Sequence, residues 1–466
     1  MNAYDSEVAS GLLQQKGYRI FNFDDAVESQ NWREADTLPD VVLMNTCSVR
    51  EHAEDRVYSR LGMLGKAKQK RPELIIGLMG CMVEEHKEKL FKRFPQLDLM
   101  IGTRNMSDLV PLIEKVERDR RQVSRIQQDG ISIEYTDQIR RKGKHHAWLP
   151  IMTGCDKRCT FCIVPITRGA EVSMKARDVY REASRLVSEG VKWITLLGQN
   201  VNSYDGSDEG RTFQPLQPQI FNSALTAQPL SPAFEGQAGK QVSFPELLDQ
   251  LCGIEGLERI SFTTSHPHDA TEELFQVIKK NPKISRRFHL PLQSGSDAVL
   301  KRMKRLHTFA DYKSQIDRLR ELVPDISITT DIINGFCGET DEDHAATKRA
   351  LEEIRYDGAF IYKYSVRKGT PAAKLVDDVP DAVKAARNLE LIALQKQITV
   401  ETHQSWLGKT ATVFGEEINQ RNSAELKGRS DQDKKVIFPG SAELIGKFSQ
   451  VKLNELRNET FFGEIV

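Results

Sequence analysis

The sequence predicts an α/β protein in three parts: an open α/β N-terminal domain, a partial (β/α)6 barrel and a small C-terminal all-β barrel. Three observations carry this. Residues 1–118 alternate apolar strand-like runs with helical periodicity. Residues 147–375 repeat a strand–helix pattern about six times. The last sixty or so residues hold short β-rich runs separated by Gly, Asn and Pro. Alternation of strand and helix favours parallel sheets covered by helices, and short strands between turn residues favour a small barrel.

In the first part, residues 4–15 read as a helix, 19–23 as a strand and 41–44 as a second strand. Ser48 and Glu51 have capping-box spacing. After them Val49, Ala53, Val57, Leu61 and Leu64 repeat on one helical face. Residues 74–79 and 97–101 read as further strands, with a helix over 84–94 between them. Cys47 and Cys81 each fall just past the carboxyl end of an expected strand, the edge where open α/β sheets place ligands. They read either as a shared metal site or as two buried thiols. The chain opens on a helix, whereas such a domain usually opens on a strand; a preceding strand would end near Cys47 and Cys81 and could carry a third ligand.

Residues 119–146 read as a polar, basic connector, with Arg120, Arg121, Arg125, Arg140, Arg141, Lys142, Lys144, His145 and His146. It is a solvated linker or a phosphate-contacting patch. In the second part (147–378), strands are expected at 148–152, 193–197, 260–263, 288–292, 326–333 and 359–364, with the site at their carboxyl ends. Residues 206–241 are rich in Gln, Pro, Ser, Gly and Ala and read as a disordered insertion. Residues 379–405 read as a connecting helix. Residues 406–466 hold strand-like runs at 409–414, 434–438, 447–453 and 460–466, with acidic and basic residues near balance.

Composition excludes some classes. The 466 residues are 39% hydrophobic and 28% charged with zero net charge, so a nucleic-acid site must be a local patch. The longest apolar run, near 74–83, is broken by Gly77 and Gly80 and is too short for a membrane span. No basic and apolar blocks of a signal peptide open the chain. The expected setting is cytoplasmic. Seven cysteines at uneven spacing read as metal ligands plus spare thiols, not as a disulfide framework.

The chemistry rests on Cys155-x-x-x-Cys159-x-x-Cys162, directly after the first barrel strand. A four-iron cluster usually takes four thiolates; three within eight residues leave one iron open. An open iron can chelate the amino and carboxylate groups of S-adenosylmethionine (SAM), and one electron can then break its C–S bond. The competing reading, structural zinc, needs a nearby fourth Cys or His. Polar turns at the following strand ends supply candidate cofactor contacts: Gly198, Gln199 and Asn200; Ser265 and His266; Gln293, Ser294 and Gly295; and Gly335. Cys337 and Cys252 read as inert and core thiols.

These motifs resemble one family. Asn45-Thr46-Cys47-Ser48-Val49-Arg50, Gly80-Cys81-Met82 and Gly154 to Pro165 resemble the methylthiotransferases. So do Thr264-Ser265-His266-Pro267, His289 to Gly295 and Thr330-Asp331-Ile332-Ile333. The likeness runs over nearly the whole chain apart from 206–241. Val164-Pro165-x-Thr167-Arg168-Gly169 favours the branch acting on isopentenyladenosine in transfer RNA.

The resemblance implies a methylthiotransferase N-terminal domain, a radical SAM barrel and a TRAM domain that binds RNA. It implies SAM and two [4Fe-4S] clusters, one on Cys155, Cys159 and Cys162 and an auxiliary one on Cys47 and Cys81. It implies methylthiolation at C2 of the adenosine beside the anticodon, one SAM methylating the sulfur and a second yielding the radical. The implied partners are a tRNA anticodon stem-loop and an electron donor such as a flavodoxin or ferredoxin, with the protein a monomer.

Two departures stand out. The family's auxiliary cluster takes three cysteines, the first in a Gly-Cys-Gln-Met-Asn stretch, and this sequence begins inside that stretch at Met1-Asn2. The expectation is a start assigned too late; with Met1 as the true start, the auxiliary cluster would lack one ligand. Ala170 stands where an arginine is expected. The alternatives within enzymes are methylthiolation of threonylcarbamoyl-adenosine in tRNA or of a ribosomal-protein aspartate. From another class, the alternative is a non-catalytic RNA-binding relative.

Overall fold

The computed structural model of the chain describes residues 2–21, 38–46, 51–126, 139–141, 143–206 and 241–466, with backbone alone for 51–53. Helix α1 (Asn2–Gln15) leads into β1 (Val41–Thr46), α2 (Glu51–Lys70), β2 (Ile75–Gly80), α3 (Cys81–His86), α4 (Lys89–Arg93), β3 (Leu99–Ile101), α5 (Leu109–Asp119) and β4 (Val123–Arg125). The four strands form a parallel sheet in chain order. Every residue of β2 is buried, as expected for a parallel strand covered on both faces.

The expected elements differ at four places. Residues 19–21 are irregular rather than a strand, and 22–23 lie outside the described residues. The helix expected over 84–94 starts earlier, at Cys81, and breaks in two at Lys87, whose φ of 49° leaves the helical region. The connector contains β4, which pairs with β3, so Val123–Arg125 is sheet, not solvated linker. Its cations are partly engaged too: Arg125 bonds Asp108 at 3.0 Å and Arg141 bonds Glu189 at 3.1 Å. Ser48 and Val49 of the expected cap, Lys142, and nearly all of the 206–241 insertion lie outside the described residues.

The middle part runs through β5 (His146–Pro150), β6 (Met152–Thr153), α6 (Val164–Thr167), β7 (Val172–Ser173), α7 (Ala176–Ser188) and β8 (Trp193–Leu197). It continues with α8 (Phe244–Cys252), β9 (Arg259–Phe262), α9 (Glu272–Lys280), β10 (Arg287–His289), α10 (Asp297–Arg302) and α11 (Phe309–Leu322). It closes with β11 (Ser327–Asn334), α12 (Asp341–Ile354), β12 (Gly358–Lys363) and α13 (Asp381–Gln404). Strands β5, β8 and β9 pair in parallel, as do β10, β11 and β12. A parallel bridge from Ile260 to Ile284 joins the two sheets. The result is the expected partial barrel of six parallel strands, with β5 and β12 as its open edges.

Its core lies between strands and helices: Leu149, Ile194, Ile260, Phe288, Ile328 and Ile332 pack outward against Val179, Leu247, Leu274, Ile316 and Leu351. Capping boxes at Ser243–Glu246, Thr308–Asp311 and Thr340–Asp343 start three of the helices.

The C-terminal module is a closed five-stranded barrel of β13 (Thr410–Ile418), β14 (Glu425–Ser430), β15 (Lys435–Pro439), β16 (Phe448–Arg457) and β17 (Thr460–Ile465). β14 was not expected, because its sequence ELKGRS is mostly polar and charged. The module seals the amino-terminal end of the partial barrel. Arg259, 2% exposed at the start of β9, donates to the carbonyls of Thr412, Arg429 and Ser430 and to Asp431. Arg287 pairs with Asp433 at 2.8 Å, and Trp193 meets the Phe414 ring edge-on. Among the described residues no helix is long and apolar enough to cross a membrane.

The N-terminal part spans the other end. Arg168, after α6, bonds Asp5 at 2.9 Å, and Thr103 Oγ1 donates to the Thr167 carbonyl at 3.2 Å. Arg367, beyond β12, donates to Glu54 at 3.3 Å. Contacts thus run from one side of the open barrel to the other across its carboxyl-terminal mouth.

Candidate metal and cofactor site

The loop from Cys155 to Cys162 lies at the carboxyl ends of the strands, between β6 and α6. The Cys155 amide donates to the Gly169 carbonyl at 3.1 Å, and the Cys162 amide to the Cys159 carbonyl at 3.1 Å. The Thr160 amide reaches the Met303 carbonyl at 3.0 Å, tying the loop to the segment after α10. Gln199 Oε1 accepts from the Gly154 amide at 2.6 Å. The loop is therefore fixed from three sides before any ligand is considered.

Burial pushes the Cys155 thiol up to about 12, with the nearby Cys162 and Cys159 adding to the rise. Burial likewise pushes Cys162 up to about 11, with Cys159 again adding to it. Thiolates crowded this way are costly unless a cation sits among them, so the donor set fits a metal cluster. Arg305 Nη1 donates to Cys159 Sγ at 3.5 Å, and the same guanidinium donates to the Pro291 carbonyl at 2.6 Å. His266 Nε2 lies 3.9 Å from the same sulfur. Burial and the neighbouring Arg305 hold His266 neutral, down to about 2. Its Nδ1 accepts from the His268 amide at 3.2 Å, which assigns the ring proton to Nε2 and aims it at Cys159. Two donors thus converge on one sulfur, the arrangement that tunes metal thiolates.

The other expected cofactor contacts divide into two sets. Asn200 Oδ1, Ser265 Oγ and Gln293 Oε1 are buried without a hydrogen-bond partner, all at strand ends. Unsatisfied buried polar atoms are costly, and together they fit a polar cofactor such as SAM. Gln293 also holds a φ of 75°, an uncommon conformation for a side-chain-bearing residue. Gly198, Ser294 and Gly335 also make packing contacts. A Cβ at Gly198 would meet Met152, and one at Gly335, whose φ is 69°, would meet Lys384 of α13. Ser294 is tied to Thr347 at 3.2 Å. Cys337 is buried, and Cys252 is half-buried against the barrel core.

Sequence reasoning missed Arg305, Lys157, Asp269 and Glu171. Lys157 bonds Asp269 at 2.7 Å, and Asp269 accepts from Asn200 at 2.7 Å. Burial raises Glu171 to about 7 although Ser203 donates to it. A cavity of about 700 Å³ lies beside the loop, lined by Cys155, Asp156, Lys157, Arg158, Glu171 and Asp205 among others. Only Arg158 and Lys157 carry a local signal, as part of the cysteine motif.

Cys81 opens α3 at the end of β2 and is buried. The Arg168 guanidinium bonds Cys81 as well as Asp5, so one buried cation serves both. Thr46 pairs with Gly80, the residue before Cys81. Cys47, next in sequence after Thr46, lies outside the described residues.

Comparison with known proteins shows the family of the chain. Residues 149–351 match the radical SAM superfamily, 404–466 the TRAM domain, and 1–102 the uncharacterized protein family UPF0004. A curated tRNA-2-methylthio-N(6)-dimethylallyladenosine synthase of Dictyoglomus thermophilum is 39% identical over 100% of this chain and 96% of its own length. The protein of that name from Carboxydothermus hydrogenoformans is 38% identical over 98% of this chain and 94% of its own length. Among solved structures, the radical SAM methyltransferase TsrM of Kitasatospora setae, with cobalamin and a [4Fe-4S] cluster bound, matches 79% of this chain and 73% of its own. Its TM-score is 0.52 at 13% identity, a likeness of fold.

Proposed function

The chain belongs to the tRNA-2-methylthio-N(6)-dimethylallyladenosine synthases, radical SAM methylthiotransferases, and from that premise we propose how its residues divide the work. The substrate is N6-isopentenyladenosine beside the anticodon of a tRNA, and C2 of its adenine receives the methylthio group. Cys155, Cys159 and Cys162 would hold a [4Fe-4S] cluster, with SAM beside it. When bound, that cluster supplies the electron that cleaves the sulfonium of SAM.

The chain's own residues hold and shield this site. Arg305 and the neutral His266 direct N–H groups at Cys159 Sγ and take up part of its thiolate charge. Gln199 fixes Gly154, the residue before the first ligand. Asn200, Ser265 and Gln293 offer partnerless polar atoms to the amino acid and ribose groups of SAM. The linked Lys157, Asp269 and Asn200 keep the wall beside Cys155 polar and ordered.

Cys47 and Cys81 would contribute ligands to an auxiliary [4Fe-4S] cluster that supplies the inserted sulfur. Support for this is the burial of Cys81 at a strand end beside Arg168. The reading divides the chain into the methylthiotransferase domain (1–125, its sheet closed by β4), a connector that ends where β5 begins at His146, the radical SAM barrel (to 378), the connecting helix (379–405) and the TRAM domain (406–466). It assigns RNA binding to the TRAM domain. It further holds that a flavodoxin or ferredoxin donates electrons, and that the protein is a cytoplasmic monomer.

The observation that carries the proposal is the conjunction of three clustered cysteines, Cys159 buried and Cys155 and Cys162 half-buried, with Arg305 on Cys159 and orphaned polar atoms at the neighbouring strand ends. Mass spectrometry of tRNA nucleosides tests it. A strain lacking its own enzyme and expressing this chain should contain 2-methylthio-N6-isopentenyladenosine; accumulation of N6-isopentenyladenosine alone would count against the proposal.

A further inference from the structure

Residues of β10, β11 and β12 whose neighbours pack outward must face the barrel lumen, because side chains alternate along a strand. Phe288, Ile328 and Ile332 belong to the outer core, so His289, Thr329 and Asp331 point inward. Register places Thr329 beside His289 and Phe360 beside Asp331. His289 Nδ1 lies 3.0 Å from Thr329 Oγ1, and Nε2 lies 3.4 Å from Asp331 Oδ2. The Phe360 and His289 rings meet at a 70° interplanar angle with centroids 6.1 Å apart.

Phe360 is 45% exposed although it sits mid-strand on an inward face. The C-terminal module closes the lumen below it, through Arg259 and Arg287. β12 is an edge strand, so Phe360 stands at the lip of the opening between β12 and β5. A flat apolar face, an acceptor and an imidazole side by side suit a planar heteroaromatic ring: the ring stacks on the phenyl while its edge meets the polar pair.

We propose that Phe360, His289 and Asp331 form the subsite that receives one purine base of the RNA, turned out of its stack into the barrel. This rests on the function proposed above. An adenine with one substituent on its exocyclic nitrogen keeps one N–H, which the Asp331 carboxylate accepts. Its ring nitrogens accept from the His289 N–H. SAM also carries an adenine, but the orphaned atoms of Asn200, Ser265 and Gln293 are buried, whereas Phe360 is 45% exposed at the open edge of the barrel.

The test uses the full reconstituted chain. Binding of an RNA stem-loop carrying N6-isopentenyladenosine, and of the same stem-loop abasic at that position, is followed by fluorescence anisotropy. SAM binding is followed by equilibrium dialysis. For Phe360→Ala, the preference for the base-bearing RNA should fall about tenfold, the order of one base–aromatic stack, with SAM binding unchanged. Phe360→Tyr should restore it, and His289→Ala should lower it. Undiminished preference in Phe360→Ala overturns the subsite, and so does a loss of SAM binding with RNA binding intact, which assigns the ring to SAM. A wild-type chain that binds neither RNA overturns the proposed function and the subsite with it. A wild-type chain that modifies the RNA while Phe360→Ala behaves identically overturns the subsite alone.

Discussion

The Arg305 guanidinium donates to Cys159 Sγ at 3.5 Å while its other terminal nitrogen holds the Pro291 carbonyl at 2.6 Å. A fixed cation beside a cluster sulfur favours the reduced, more negative cluster. Arg305→Met should lower the midpoint potential of the barrel cluster by about 60 mV, the equivalent of a tenfold change for one electron. Arg305→Lys should recover part of it. A redox titration followed by electron paramagnetic resonance reads the shift.

Arg168 is buried between Asp5 of α1 and Cys81 of α3. Arg168→Met leaves the Asp5 carboxylate buried without its cation, a change that costs about 3–5 kcal/mol in comparable pairs. Thermal unfolding should begin at a markedly lower temperature, and limited proteolysis should cut between the N-terminal part and the barrel. The cysteines of the barrel site should keep their iron.

Arg259 plays the matching part at the other end, where four acceptors of the C-terminal module receive its N–H groups. Arg259→Ala should destabilise the docked module by several kcal/mol, on the order seen for broken buried charge networks. Release of a fragment near residue 405 on mild proteolysis checks this. Asp431→Asn, which keeps the three carbonyl acceptors, should be milder.

The same interface sets a pH limit. Burial, with Arg429 nearby, lowers His146 to about 4; burial, with Lys434 nearby, lowers His403 to about 4. Both rings are neutral when folded, and the unfolded chain binds their protons more readily, near 6.5. Their contribution is therefore complete above about pH 6.5 and is lost as pH falls towards 4. Melting temperature should drop over that window, and His146→Asn with His403→Gln should flatten the drop.

The cysteine loop stands out in the sequence because three cysteines within one turn-rich segment carry a signal in their spacing. The six barrel strands were legible from apolar runs such as Ile194–Leu197 and Ile326–Ile333. What escaped was made by contacts across the fold. Arg305 lies in a plainly charged stretch, and nothing near it in sequence points to Cys159. That Met152 packs beside Gly198 and Lys384 beside Gly335 likewise follows from contacts distant in sequence. β4 is three residues long and bears Arg125, so its pairing with β3 is the main sign that it is a strand. β14 is mostly polar and charged, and barrel closure rather than propensity places it.

The most direct test of the central claim is the electron paramagnetic resonance spectrum of the reduced, anaerobically reconstituted chain, with and without SAM, alongside its iron and sulfide content. The account predicts a [4Fe-4S] signal that SAM perturbs, and loss of that perturbation with about four irons in the Cys155→Ala, Cys159→Ala, Cys162→Ala variant. A spectrum indifferent to SAM, or zinc in place of iron on these cysteines, would contradict it.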